Sequence, residues 1–332
     1  MSNAPETRLA RPSAFAPGAL TNDDAELTPQ PSEGRAVVPF DLPGVLVGTA
    51  EYAEGPTGCT VLHFPDGVRT AIDARGGAVG LSGGYDIHQA IVFAGGSVYG
   101  LEAAAGVGTE LLHRVENRTH WAALQHVSGA VIYDFSARDT AIAPDAALGR
   151  AALRNAKPGE FPVGRCGAGR TASVGKIDFG RAEFAGQGAA FREIGGMKVL
   201  VATVVNAVGV VVDRDGRVVR GNVHADTGER KLPVEDYALA AGGGQPVGTL
   251  AGNTTLTVLV TNVRLPEVSL RQLGTQVHSS MHRAIQPFHT EIDGDILFTV
   301  TTDEVDLTGI TATGLGAIAS EVAWDAVLSA AE

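Results

Sequence analysis

The chain has 332 residues and a formal net charge of −12, from 25 Lys and Arg against 37 Asp and Glu. That acidity, with no Lys/Arg run anywhere, excludes a nucleic-acid partner, which selects for a basic face. An apolar fraction of 44% supports a real core and excludes wholesale disorder.

Residues 1–35 are rich in Pro, Ala, Asp and Glu without periodicity. They read as a mobile arm, or as a segment ordered by a partner subunit, ahead of a single domain over 36–332. The N-terminus has no apolar signal core and no apolar run is long enough for a membrane helix, so a soluble cytoplasmic protein is expected. Strands are predicted over 44–49 and 59–63. The segment DARGGAVGLSGGY (73–85) predicts an irregular loop with tight backbone approaches. It is one concentration of a glycine content, 43 residues, roughly twice ordinary usage. A helix is predicted from about Ser97, with Leu101, Ala104, Val107 and Leu111 on one stripe, and another over 146–156. Residues 198–213 are almost continuously apolar, and Asp213 to Gly216 supply a hairpin turn into RVVRG. The stretch 239–252, with Gly242 to Gly244 and Pro246, predicts a flexible loop. It runs directly into TTLTVLVTNV (254–263), a strand by its β-branched content. Leu256, Val258 and Val260 lie on one face and Leu259 and Val263 on the other, so both faces are at least partly buried. Helices over 266–285 and 313–330 close the chain, with Asp293-Gly294-Asp295 and a short strand between them. Strands buried on both faces, with amphipathic helices to cover them, imply sheets between helical layers.

Several familiar signatures fail. Cys59 and Cys166 make neither a disulfide framework nor a zinc quartet. GRTASVGK (169–176) ends like a phosphate loop, but Arg170 stands where glycine is needed and Ile177 where Ser or Thr is needed. No nucleophile elbow exists. His278 and His282 are four residues apart on a helix but lack the glutamate of a zinc protease, so they read as polar helix histidines. Asp293 and Asp295 lack the ladder of a calcium loop. No metal or cofactor is implied.

The junction Gly252-Asn253-Thr254-Thr255 survives this sieve. A Gly-rich loop runs into a hydroxyl residue that starts a buried strand, the layout of an enzyme that cuts itself. The hydroxyl attacks the preceding carbonyl, an N→O shift gives an ester, and water hydrolyses it. The new α-amine, with a reference pKa of about 7.7–8.0, then serves as base for its own hydroxyl. An ordinary strand start would carry the same residues, and the junction alone leaves both readings open.

From about residue 42 to the end, longer stretches decide more. They include DARGGAVGLSGGYD (73–86), YGLEAAAGV (99–107), VIYDFSAR (131–138), PGEFPVGRCGAG (158–169), GNTTLTVLVTNVR (252–264), QVHSSMHRAIQPFHTEIDGDILF (276–298) and GAIASEVAWDAVL (316–328). In these the chain resembles the N-terminal-nucleophile peptidases that comprise the D-aminopeptidases, the β-aminopeptidases and the nylon-oligomer hydrolases, and most of all that last branch. The resemblance implies a four-layer α/β/β/α sandwich, self-cleaved between 253 and 254, working as a homotetramer of processed protomers without a cofactor. It implies an amide hydrolase acting on small or polymeric amides, 6-aminohexanoate oligomers first. The alternative is an aminopeptidase on D-, L- or β-amino acid amides. An ornithine acetyltransferase and a non-catalytic scaffold are weaker rivals.

The same resemblance assigns roles. Thr254 matches the nucleophile and Asn253 the residue across the scissile bond. Lys176 matches a lysine beside the nucleophile, Asn206 an oxyanion donor, and Asp293 and Asp295 carboxylates that orient the Thr254 amine. Tyr133 matches a cleft tyrosine that contacts substrate. Read without the family, Lys176 is a surface lysine, Asn206 a hydrogen-bonded core amide and Tyr133 an ordinary half-buried ring.

Overall fold

The computed structural model describes residues 18–248 and 252–332. In chain order, strands β1 (Leu46–Tyr52), β2 (Thr57–Ala74) and β3 (Ile87–Ala94) are followed by helix α1 (Glu102–Arg114), strand β4 (Val127–Val131) and helix α2 (Ala146–Arg154). Strands β5 (Gln187–Ile194), β6 (Met197–Asn206), β7 (Val210–Val212) and β8 (Val218–Arg220) come next, then helix α3 (Pro233–Ala241). The chain closes with β9 (Thr254–Arg264), α4 (Glu267–Ser280), β10 (Ile296–Asp306) and α5 (Ala312–Ala331).

Strand β2 belongs to two sheet layers. Its first half pairs with β1 and β3, and its second half, from Arg69 to Ala74, pairs with β10. The register shifts between His63 and Val68. Pro65 there has no N–H to give, and Gly67 takes φ +75°, so the strand bends out of one sheet and into the other. The strands are one continuous hydrogen-bonded set folded at β2, with β5–β6–β9–β10–β2 forming one sheet layer and β1–β2–β3–β4 the other.

Three apolar clusters separate the layers. Between the sheets, Leu62, Ile91 and Phe93 meet Leu256, Val258, Val260 and Phe298. Outside one sheet, Val199, Leu259 and Val263 pack on Leu270, Leu273 and Val277 of α4 and Leu315 and Val322 of α5. Outside the other, Val61 and Val92 pack on Val107, Leu111 and Leu148 from α1 and α2. Three interfaces make four layers, the α/β/β/α order expected. The alternation along β9 is the one read from its residues: Leu256, Val258 and Val260 face the opposite sheet, and Leu259 and Val263 face the helices. Each such side chain, fully buried, stabilises by about 1.5–3 kcal/mol. β9 and β10 run parallel, and parallel neighbours need a crossover, which α4 provides.

The apolar run 198–213 is broken after Asn206 into β6 and β7, with the hairpin to β8 following as predicted. One expectation, the loop over 239–252, needs correction. Helix α3 was not anticipated, and it takes 239–241 from the predicted loop. Pro233 at its first position and Glu235 and Asp236 in its first turn were the available signals. Residues 249–251 of that loop lie outside the described residues, as do 1–17 of the expected arm. The described part of the arm lies along the body: Gln30 pairs with Glu51, the Asn22 amide donates to the Ala143 carbonyl at 3.0 Å, and Leu27 packs against the α1–α2 cluster. No helix among the described residues is long and apolar enough to cross a membrane.

Candidate active site

Thr254 opens β9, and the antiparallel register sets it opposite Asn206, the last residue of β6. Asn206 is fully buried and its amide is a junction. Its Oδ1 accepts from the Ser173 N–H at 3.1 Å and from Lys176 Nζ at 3.0 Å, while its Nδ2 donates to the Tyr133 carbonyl at 3.1 Å. Two donors on one end settle which end is oxygen. Lys176 Nζ also donates to the Asn206 carbonyl at 2.9 Å. Lys176 is 1% exposed, so it is no surface lysine. Burial pulls its ammonium down to about 7, against the opposing pull of Asp293 and Asp134.

Asp293 lies near Lys176, and Asp295 holds the other side of the start of β9. Asp293 and Asp295 are both fully buried. Asp295 Oδ1 accepts the Thr255 N–H at 2.6 Å, and its Oδ2 accepts from the His289 backbone at 3.1 Å and the His289 ring at 2.8 Å. Asp293 accepts from the Val208 N–H at 3.3 Å, the Thr290 N–H at 3.1 Å and the Thr290 hydroxyl. Burial, then the neighbouring Asp293 charge, push Asp295 up to about 7. Asp295 thus faces the start of β9, while Asp293 ties its own loop to Val208, just beyond β6.

The Asn253–Thr254 peptide sits between these flanks in an unbroken chain. The Thr254 hydroxyl donates to the Asn253 carbonyl at 2.5 Å, and the Gly294 N–H donates to that same oxygen at 2.8 Å. The Asn253 N–H donates to the Ile292 carbonyl at 3.2 Å. Gly294 fits because it has no side chain: a Cβ there would lie 2.2 Å from the Ala78 carbonyl oxygen and 3.1 Å from Thr254 Oγ1. The glycine-rich loop predicted over 73–85 is what presses on this segment. A Cβ on Gly76 would lie 2.2 Å from the Asp293 carbonyl oxygen, the Ala78 N–H donates to that oxygen at 3.0 Å, and the Arg75 N–H donates to the Asp295 carbonyl at 2.8 Å. Tyr133 is half-buried, and its ring covers Gly252, where a Cβ would fall 2.5 Å from Cδ1.

The structure therefore brings Thr254, Asn253, Lys176, Asn206, Asp295, Asp293 and Tyr133 to one place. Three neighbours escaped sequence reasoning. Gly294 carries no signal of its own between Asp293 and Asp295. Asp134 sat unremarked in VIYDFSAR; buried, it accepts from Thr57, Thr171 and Gly96 at 2.9 Å each and from Arg138 at 3.0 Å, which secures the turn after Tyr133. His289 has no local motif at all. His278, read as a polar helix residue, is fully buried, with Nδ1 3.3 Å from Asp73. No group of three or more His, Cys, Asp or Glu among the described residues is placed to hold a metal.

A hydroxyl against a carbonyl that already carries a backbone donor, with an amine-and-amide flank and a carboxylate flank, is equipment for acyl transfer. The profile of peptidase family S58 matches residues 40–332. The chain belongs to peptidase family S58. Every site residue lies inside the S58 span. The 6-aminohexanoate-oligomer endohydrolase of Paenarthrobacter ureafaciens is 60% identical, covering 98% of this chain and 94% of its own length. An uncharacterized aminopeptidase of Mycobacterium leprae is 31% identical over 81% of this chain and 79% of its own. Among solved structures, a β-aminopeptidase from Burkholderia superposes with a TM-score of 0.61 over 90% of this chain and 88% of that one, at 16% identity. The L-aminopeptidase D-Ala-esterase/amidase of Ochrobactrum anthropi, described as a variant among the Ntn hydrolase fold, gives 0.59 over 87% and 83%, at 17%. These two bear out the fold expected from the sequence.

Proposed function

We propose that this S58 chain is an amide hydrolase that cleaves 6-aminohexanoate oligomers with Thr254 as an N-terminal nucleophile. The observation that carries the chemistry is the pair of donors, Thr254 hydroxyl and Gly294 N–H, on the Asn253 carbonyl. In the precursor no α-amine is free at Thr254. Lys176, near neutrality through burial, supplies the base that takes the hydroxyl proton. The Oγ–C bond forms, Gly294 steadies the oxyanion, the C–N bond breaks, and the proton passes to the departing nitrogen. Water then hydrolyses the ester, leaving a carboxylate on Asn253 and a free amine on Thr254.

In the processed enzyme that amine is the base. Oγ attacks the substrate amide, the leaving amine takes the proton, and water frees the acyl group. Asn206 has a second N–H on Nδ2 to offer the substrate oxyanion. Asp295 orients the start of β9 and the new ammonium, with Asp293 beside it, and Tyr133 lines the entry. The substrate follows from the 60% identity to the Paenarthrobacter enzyme; the aminopeptidase relatives are far more distant. A single domain over 36–332, an arm over 1–35, a tetramer of processed protomers and a cytoplasmic setting complete the reading.

Intact mass and oligomer hydrolysis test it together. The wild type should give two fragments that meet at Asn253–Thr254, and Thr254→Ala one inactive 34.1 kDa chain. A Thr254→Ala protein that still splits and still hydrolyses amides would falsify the mechanism. Faster turnover of an amino-acid p-nitroanilide than of an internal nylon amide would replace the substrate reading with the aminopeptidase one.

A further inference from the structure

Behind Asp295, away from Thr254, lies a packed array that the mechanism above does not use. The His289 ring stands edge-on to the His278 ring, with centroids 4.3 Å apart, and to the His282 ring at 4.9 Å. It stacks on Phe288 at 3.8 Å. His278 Nδ1 is 3.3 Å from Asp73, which is paired with Arg75 at 2.8 Å. His289 itself adopts φ +57°, a left-handed conformation that non-glycine residues take at a cost. That backbone lets both its N–H and its ring Nδ1 reach the same oxygen, Asp295 Oδ2.

We propose that His289 is a positioning residue: by occupying Asp295 Oδ2 from behind, it holds Oδ1 on the Thr255 N–H and so fixes the start of the nucleophile strand. This rests on the reading of Thr254 as nucleophile. Where Asp295 is ionised it can only accept, so Nδ1 then carries the proton. Burial, reinforced by His282 and Arg75, holds the ring down to about 4, so it is a neutral donor at neutral pH. The charged and titratable groups that face this pair are Asp293 on the same loop, His278 and His282 from the helix above, and Asp73 and Arg75 from the end of β2. Removing the ring donor withdraws one hydrogen bond from the ionised carboxylate. The neutral form of Asp295 is then favoured, and the limb on which it ionises moves to higher pH.

Two substitutions separate position from fold. His289→Gly keeps the left-handed backbone and deletes the ring. His289→Asn also tolerates that backbone and places an N–H near the position of Nδ1. The full chain of each is compared with wild type for the rate of processing and for kcat and KM on 6-aminohexanoate oligomers, from about pH 5 to about pH 9. For His289→Gly we expect kcat about ten-fold lower, slower processing and an acid limb raised by about half a unit or more. His289→Asn should return the limb most of the way to its wild-type position. If His289→Gly does not fold, His289→Gln takes its place, since its donor lies at the Nε2 position and should not rescue. A Gly or Gln variant with the wild-type limb and kcat overturns the proposal. So does an Asn variant displaced as far as the Gly variant. Thr254→Ala run alongside distinguishes the failures: if it stays active, the nucleophile reading falls, whereas an inactive Thr254→Ala beside unperturbed His289 variants sinks only this inference.

Discussion

Asn253 and Thr254 share a peptide bond but are held by different means. Thr254 is the first residue of an eleven-residue strand buried on both faces, hydrogen-bonded to β6 on one side and β10 on the other. Asn253 is held by a loop, through the Ile292 carbonyl and the Gly294 N–H. Upstream, the described residues Gly242 to Gly248 are almost all exposed. Thr254 is therefore placed by the sheet and the Asn253 carbonyl by the loop that carries Ile292 and Gly294.

The severest way to break this comparison is from the loop side. Gly294→Ala drives a Cβ into the Ala78 carbonyl and against Thr254 Oγ1. Processing should stop, and stability should fall by about 1–3 kcal/mol, read by intact mass and by the unfolding midpoint. An Ala variant that processes at the wild-type rate would mean that Gly294 is not the clamp described.

From the strand side, Lys176→Met keeps length and removes the buried amine. Activity should fall on the order of 100-fold. Thermal stability should move little, since the lost bonds are offset by relief of a buried charge. If the Tm collapses while the surviving folded fraction retains full kcat, Lys176 is structural.

The two flanks should also oppose each other in pH. Asp295 has a folded pKa raised from 3.8 to about 7, so between those values the native state holds the extra proton and stability falls as pH rises. Lys176 has a folded pKa lowered from 10.5 to about 7, so above 7 the unfolded state holds the extra proton and stability rises with pH. Together they cut a trough near neutrality, with limbs of at most about 1.4 kcal/mol per pH unit. Unfolding midpoints against pH should lose the falling limb in Asp295→Asn and the rising limb in Lys176→Met; unchanged limbs in both would remove these groups from the account.

The mildest test concerns Tyr133, whose ring carbons, not its hydroxyl, meet Gly252. Tyr133→Phe should leave processing within about two-fold, because packing is kept, and should alter KM for substrate instead. Slowed processing with an unchanged KM would reverse that assignment.

How much of this was readable beforehand depended on distance along the chain. The two-faced burial of Leu256 to Val263 was legible because a strand's period is two and its neighbours cannot change it. The layered class followed from that. Thr254, Lys176 and Asn206 were named through family resemblance, yet nothing local says that Lys176 is buried; its partners, Asn206 and Val208, lie far along the chain. Asp134 was silent because the groups that give it meaning lie elsewhere in the chain, at Thr57 and Thr171, and His289 because only its left-handed backbone turns its ring onto Asp295. Helix α3 was obscured by the glycines that end it.

Strand β2 would have a further consequence for a chain cut between Asn253 and Thr254. β9 and β10 lie inside their sheet, between β6 and β2, and both belong to the piece that begins at Thr254. A nicked protein that melts would release two polypeptides, and regaining the fold would require them to meet again in solution. Recovery would then depend on concentration, whereas the uncut precursor refolds within a single chain. The cut would thus turn a reversible transition into a wager on encounter, and only the folded state would keep the two pieces together.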